Sequence, residues 1–164
     1  QPFSGSWGYH RDEATWKSVR QLIVMLIETV SKGGNLLLNV GPTARGTFDE
    51  RAKARLEGIG AWMKEHNRSI YACTQAPAEF KAPQNCLLTY NPEAKRLYVH
   101  VLEWPMGVLH LDGFAGRVAY AQLLNDASEV KFKEEKGPRV NTVTLQLPVL
   151  QPKAEVPVIE LYLK

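Results

Sequence analysis

The sequence predicts an α/β segment followed by an antiparallel β-sandwich. Three observations carry this. Residues 16–31 and 47–66 repeat apolar side chains at steps of three and four. Between them lies the continuous apolar run Leu36-Leu37-Leu38. After Ala76-Pro77 the period falls to two, in short stretches separated by turn residues.

The first helix is predicted over 16–31, WKSVRQLIVMLIETVS, with Trp16, Val19, Leu22, Ile23, Leu26, Ile27 and Val30 on one face. Asp12 and Glu13 precede it, where acidic groups favour a helix N-terminus. Gly33-Gly34 ends it. In NLLLNVGP, 35–42, consecutive leucines ask for burial on both faces, as in the parallel strands of α/β folds. Gly41-Pro42 stops that strand and opens a loop through Gly46. Thr47 and Glu50 fit a capping box for a second helix, whose apolar face is Ala52, Leu56, Ile59 and Met63. Asn67 is placed to close it in the left-handed conformation.

From there CLLTYN, RLYVHVLEW, VLHLDG, VAYAQLL, EVKFKEE, NTVTLQL and PVIELYL read as seven or eight short strands, the pattern of a sandwich. In RLYVHVLEW, Leu97, Val99 and Val101 face one way and Tyr98 and His100 the other. NPEAK, 91–95, and EEKG, 134–137, read as hairpin turns. KFKEEK, 131–136, alternates charge sign and reads as a solvated strand or turn. The boundary between the halves falls in 74–83, giving segments 1–77 and 78–164.

One buried strand and two amphipathic helices do not close a core, because a parallel strand needs neighbours reached through crossovers. Exposing the seven apolar residues of the first helix would forfeit roughly 10–20 kcal/mol, at about 1.5–3 kcal/mol per side chain. That exceeds the net stability of a typical domain, about 5–15 kcal/mol. The first segment is therefore expected to pack on polypeptide outside these 164 residues.

Other classes are excluded early. A net charge of +3 without a Lys/Arg stripe argues against nucleic-acid binding. No apolar run is long enough for a membrane span, and QPFSGS has no features of a signal peptide. Cys73 and Cys86 match no metal-ligand spacing and read as free thiols, with a disulfide as the other reading.

A resemblance then becomes specific. SWGYHRDE (6–13), ETVSKGGNLLLNVGPTARGTF (28–48) and GAWMKEHNRSIYACTQAP (60–77) resemble the C-terminal part of the family 29 α-L-fucosidases in order, spacing and wording. SKGGNLLLNVGP is the sharpest match, and residues 78–164 resemble the family's sandwich in position and pattern only. The resemblance implies the last helix–strand–helix elements of a (β/α)₈-like barrel followed by the sandwich. It implies hydrolysis of terminal α-L-fucose from oligosaccharides and glycoconjugates with retention, by an Asp nucleophile and a Glu acid/base, without metal or organic cofactor. Such a substrate implies the periplasm, the cell exterior or the lysosome.

Retention needs two carboxyl groups about 5–5.5 Å apart, at the C-terminal ends of barrel strands. The one barrel-type strand ends in Asn39, Val40 and Gly41; Asp12, Glu13, Asp49 and Glu50 read as helix-start residues and Glu28 as surface. No catalytic pair is expected in this chain. In the family both carboxylates precede the S-W-G-Y motif, so the implied partners are the preceding barrel portion and the fucosylated glycan. The resemblance places Trp7 and Tyr9 as substrate-binding candidates at the mouth of the site. Trp7 either walls the 6-deoxy methyl of fucose or packs loop against barrel; Tyr9 either supports the loop or touches sugar. Gly8 is expected to allow tight backbone approach, Asn39 to tie down neighbouring loops, and His10 to hold no proton-transfer role. The competing readings for 78–164 are a carbohydrate-binding module, using Tyr90, Tyr98, Trp104, Tyr120 or Phe132, and a structural prop for the barrel.

Overall fold

The computed structural model describes residues 1–164. The first helix, α1 (Val19–Ser31), begins three residues later than the apolar pattern suggests, because Ser18 caps it. The Ser18 hydroxyl accepts from the Gln21 amide and the Gln21 side chain accepts from the Ser18 amide, a reciprocal capping box, so Asp12 and Glu13 are not its first turn. At the other end Gly33 takes φ 75°, and the Gly33 and Gly34 amides donate to Val30 and Thr29. That is a Schellman closure, which a left-handed residue makes possible.

The second helix, α2 (Glu50–His66), is capped by Asp49, whose carboxylate accepts from the Arg51 amide. The expected Thr47 box does not form; Thr47 instead meets Thr43 across the loop, hydroxyl to hydroxyl at 3.0 Å. Asn67 stays right-handed at φ −55° and runs into a 3₁₀ turn, Asn67–Ser69. The left-handed position falls five residues later, at Ala72.

Eight strands follow: β1 (Thr74–Gln75), β2 (Cys86–Asn91), β3 (Arg96–Val101), β4 (Val108–Asp112), β5 (Val118–Leu123), β6 (Phe132–Gly137), β7 (Val140–Gln146) and β8 (Val158–Leu163). They form a five-stranded sheet, β1-β2-β3-β8-β5, and a three-stranded sheet, β4-β7-β6, antiparallel throughout. Leu97, Val99, Ile159 and Leu161 point between the sheets, against Leu111, Val143 and Leu145. The solvated reading of 131–136 holds, with β6 exposed beyond Phe132. Cys73 and Cys86 are unpaired thiols, and burial pushes each up to about 11.

The outer face of the five-stranded sheet is not solvent. The apolar side of α1, through Ile23, Ile27 and Val30, joins Trp62 of α2 over Tyr98 and Val158. This corrects the expectation that α1 waits for an outside partner: the sandwich itself covers most of that face, because β3 and β8 carry apolar residues on both sides. Trp62 Nε1 donates to the Val156 carbonyl at 2.8 Å, and Arg20 donates to the carbonyls of Leu102 and Glu155. Glu160, 2% exposed, sits under the 3₁₀ turn and accepts from Arg68, Gln122 and Tyr98 at 2.9, 2.6 and 3.2 Å. A buried carboxylate persists only with partners of this kind.

What the chain does not cover is the apolar run itself. Residues 35–40 are extended but form no strand; one parallel bridge joins Pro2 to Asn39. Asn39 donates to the Gln1 carbonyl and accepts from the Phe3 amide, while Leu36, Leu38 and Val40 make no main-chain hydrogen bond. The two bridged segments are linked through α1, so residues 1–40 run segment–helix–segment, with the 35–40 run paired on one side only. Leu38 and Val40 pack on Phe3, Leu22 and Ala52, whereas Leu37 is 79% exposed.

Two predictions come from this packing. A Cβ on Gly58 would lie 2.6 Å from a Val19 methyl, whereas one on Gly60 would meet nothing within 4 Å. Gly60→Ala should therefore raise stability by roughly 0.5–1 kcal/mol, and Gly58→Ala should lower it, in urea unfolding; equal effects would refute the close α1–α2 contact. Second, His100 is fully buried, and its pKa is pushed down to about 3 by burial first and by His66 second. An unfolded histidine titrates near 6.5. Between those values the unfolded chain binds the extra proton, so this stability is present above about pH 6.5 and lost as pH falls toward about 3, by up to ~1.4 kcal/mol per pH unit. Unfolding midpoints should fall along that slope, and His100→Gln should flatten it; parallel profiles would contradict the assignment.

Candidate functional site

The segment 6–13 lies over the end of the 35–41 run, held there by a side-chain hydrogen bond and a close backbone approach. The Asn39 side-chain amide donates to the Trp7 carbonyl at 2.6 Å, so Asn39 ties the two loops together as expected. Gly41 is the close approach: a Cβ there would lie 2.6 Å from the Tyr9 amide nitrogen and 2.7 Å from the Gly8 carbonyl carbon. Gly8, expected to be the tight position, has open space around its would-be Cβ. The steric demand sits on the other strand of the contact.

Trp7 is 63% exposed and Tyr9 37% exposed. Tyr9 lines a small cavity with Phe3, Ser4, Gly8, Asn39 and Val40; Trp7 is outside that wall and presents its ring to solvent. His10 is exposed.

The base of the segment is a knot of polar contacts. The Glu13 carboxylate accepts from the Thr15 hydroxyl and amide at 2.6 and 2.8 Å, and from Ser6 at 3.4 Å. Those bonds, the Thr15 hydroxyl first, hold its pKa below the usual carboxylate range. Asp49 is held low too, chiefly by the Arg51 side chain and then by the Arg51 amide. Each remaining acidic group weighed in the sequence has a local cation: Asp12 with Arg11, Glu28 with Lys32, Glu50 with Lys53. These contacts are structural chemistry, an anion fixed by donors, and none leaves a carboxyl group free to donate a proton in a cleft. No cluster of three or more His, Cys, Asp or Glu is placed to hold a metal.

Sequence reasoning missed Gly41, Lys17, Arg51 and Arg55. Lys17 Nζ donates to the Pro2 carbonyl at 2.9 Å, and Arg55 Nε to the Lys17 carbonyl at 2.6 Å. A signal existed for the pair on α2: arginines at 51 and 55 share one helix face beside the acceptor-rich loop.

The family model described as Alpha-L-fucosidase matches residues 1–68, the helices and their loops. Human plasma alpha-L-fucosidase is 36% identical over 145 residues, 86% of this chain and 29% of the human protein. Alpha-L-fucosidase isoenzyme 1 from Paenibacillus thiaminolyticus superposes with a TM-score of 0.89 at 34% identity, over 99% of this chain and 38% of that one. The chain belongs to the α-L-fucosidase family. A Bacteroides thetaiotaomicron member, described as a trapped covalent intermediate with a fluorinated fucosyl fluoride, matches with a TM-score of 0.86 at 27% identity, over 99% of this chain and 37% of that one. The likeness thus extends through the sandwich, where the sequence alone shows no sharp motif. This fucosidase-family chain spans about a third of the length of the relatives it matches. No helix in it is long and apolar enough to cross a membrane.

Gly41→Ala should push the Trp7–Tyr9 segment off its seat, since the clash is with the Gly8–Tyr9 backbone and not with a movable side chain. Amide exchange at Tyr9 and Trp7 emission should both change, while Gly8→Ala should change neither. A silent Gly41→Ala would show that the two segments do not touch.

Proposed function

We propose that this chain is the C-terminal third of a retaining α-L-fucosidase, hydrolysing terminal α-L-fucose from oligosaccharides or glycoconjugates. Residues 1–77 then form the closing edge of a (β/α)₈-like barrel and residues 78–164 the sandwich that props it. The observation that supports this reading is the unfinished parallel edge. Residues 35–40 pair with 1–3 on one side, have free main-chain groups on the other, and carry Leu37 exposed to 79% on the same side as Asn39. A parallel strand in this state calls for a further neighbour.

In that barrel the two carboxyl groups of the double displacement come from the preceding polypeptide. One attacks the anomeric carbon as the other protonates the departing oxygen, and water then releases fucose with the second group acting as base. The residues of this chain bind and orient. Trp7 offers an apolar ring to the sugar methyl with little side-chain entropy to lose. Tyr9 supports the segment from beneath. The enzyme works in the periplasm, outside the cell or in the lysosome.

A glycan-binding module is the less favoured reading. Tyr98 is 2% exposed, and Tyr90, Trp104 and Phe132 pack on the sandwich core. Tyr120 meets Tyr162 edge-on at 81°. No coplanar pair of exposed rings is left on the sheets for a sugar.

The 164-residue chain alone should release no 4-nitrophenol from 4-nitrophenyl α-L-fucoside, and the chain joined to its preceding barrel should. In that longer enzyme Trp7→Ala should lower kcat/KM by roughly 10–200-fold, the range of one lost apolar contact. Activity of the short chain would refute the division of labour; an unchanged kcat/KM would remove Trp7 from the site.

A further inference from the structure

We propose that Arg51, held by Asp49 at the start of α2, is a positioning residue that sets the height and angle of the Trp7–Tyr9 segment over the sugar site. The proposal rests on the reading of that segment as fucose-binding, and adds the residue that fixes it.

The observation is a fork used three ways. Arg51 Nε and Nη2 donate to the two oxygens of Asp49 at 2.8 and 3.0 Å. Nη1 donates to the Glu13 carbonyl and Nη2 also to the Arg11 carbonyl, both at 3.0 Å. The guanidinium lies over the Trp16 ring at 5.0 Å from its centroid, and the Trp16 Nε1 donates to the same Glu13 carbonyl at 3.1 Å. The Arg55 guanidinium lies over the same ring at 5.1 Å.

The rest of the segment makes this grip matter. Between Trp7 and the Glu13 knot the backbone makes one bond of its own, Glu13 amide to His10 carbonyl, and the Trp7 end is held by the Asn39 amide, by the close Gly41 backbone and by the Ser6 hydroxyl on the Gly8 carbonyl. Asn39 pins one end; Arg51 pins the other, from a helix anchored to the sandwich through Trp62. A planar guanidinium can hold a carboxylate and two carbonyls in one plane, which a lysine ammonium cannot do with the same geometry. Asp49 serves twice, capping α2 and fixing the rotamer of Arg51. The fork therefore converts the position of α2 into the position of the chain four residues beyond the Trp7 ring.

The test has two arms on Arg51→Gln and Arg51→Lys, with the exposed Lys53→Gln as control. On the 164-residue chain, amide exchange of residues 7–13 should accelerate in both Arg51 variants and not in the control. In the longer enzyme, KM for 4-nitrophenyl α-L-fucoside should rise and kcat/KM fall by roughly 10–100-fold for Arg51→Gln, the cost of misplacing a binding group, with kcat less affected. Arg51→Lys should fall between, since it keeps the charge and loses the fork. If the variants lower the unfolding midpoint but leave exchange at 7–13 and KM at wild-type values, Arg51 only stabilises the fold and the proposal is overturned. A wild-type longer protein without fucosidase activity would reject the functional reading, while the exchange arm would still decide the clamp.

Discussion

The structure depends on one sheet having both faces buried. β3 and β8 place Leu97, Val99, Ile159 and Leu161 toward the opposite sheet, and Tyr98 and Val158 toward the helices. That second face gives α1 and α2 somewhere to sit. Without it the helices would expose Ile23, Ile27 and Trp62, all now buried. The polar members of the joint follow from the same burial. Glu160 cannot lie 2% exposed without Arg68, Gln122 and Tyr98 around its oxygens, and burial with that carboxylate pushes the Tyr98 hydroxyl up.

A fixed helical layer has a consequence for the loops. Both ends of the Trp7–Tyr9 segment hang from elements seated on that layer: Asn39 from a run packed on Leu22 and Ala52, Arg51 from the first turn of α2. The sandwich thus fixes the helices from which these two contacts reach the segment. Function sits on loops and rigidity comes from beneath them.

Much of this was legible in the sequence. The change of period near residue 77, the two helices and the two-faced strand 97–101 were all written in side-chain spacing. The free thiols were legible in the lack of any metal-ligand spacing between Cys73 and Cys86. Helix starts were less so, because several residues could serve as cap and only local geometry selects among them: Ser18 over Asp12 and Glu13, Asp49 over Thr47. What α1 packs against was misread, since periodicity marks a face and not its partner. Gly58 and Gly60 are two residues apart in one helix, yet one is pressed on Val19 and the other faces open space. In the candidate site, the wording of the motif singled out Trp7 and Tyr9, and the structure places both on the exposed segment over Asn39 and Gly41. The contacts that hold them, through Arg51, Gly41 and Lys17, join residues 15–40 positions apart and leave no local pattern.

The central claim is that residues 35–40 are half of a parallel pairing completed by another strand of the same enzyme. The direct measurement is amide hydrogen exchange at Leu36, Leu38 and Val40, in the 164-residue chain and in the chain joined to its preceding polypeptide. The account predicts fast exchange in the short chain, where these amides have no main-chain partner, and strong protection in the long one. Slow exchange in the short chain, unchanged by the added polypeptide, would contradict it.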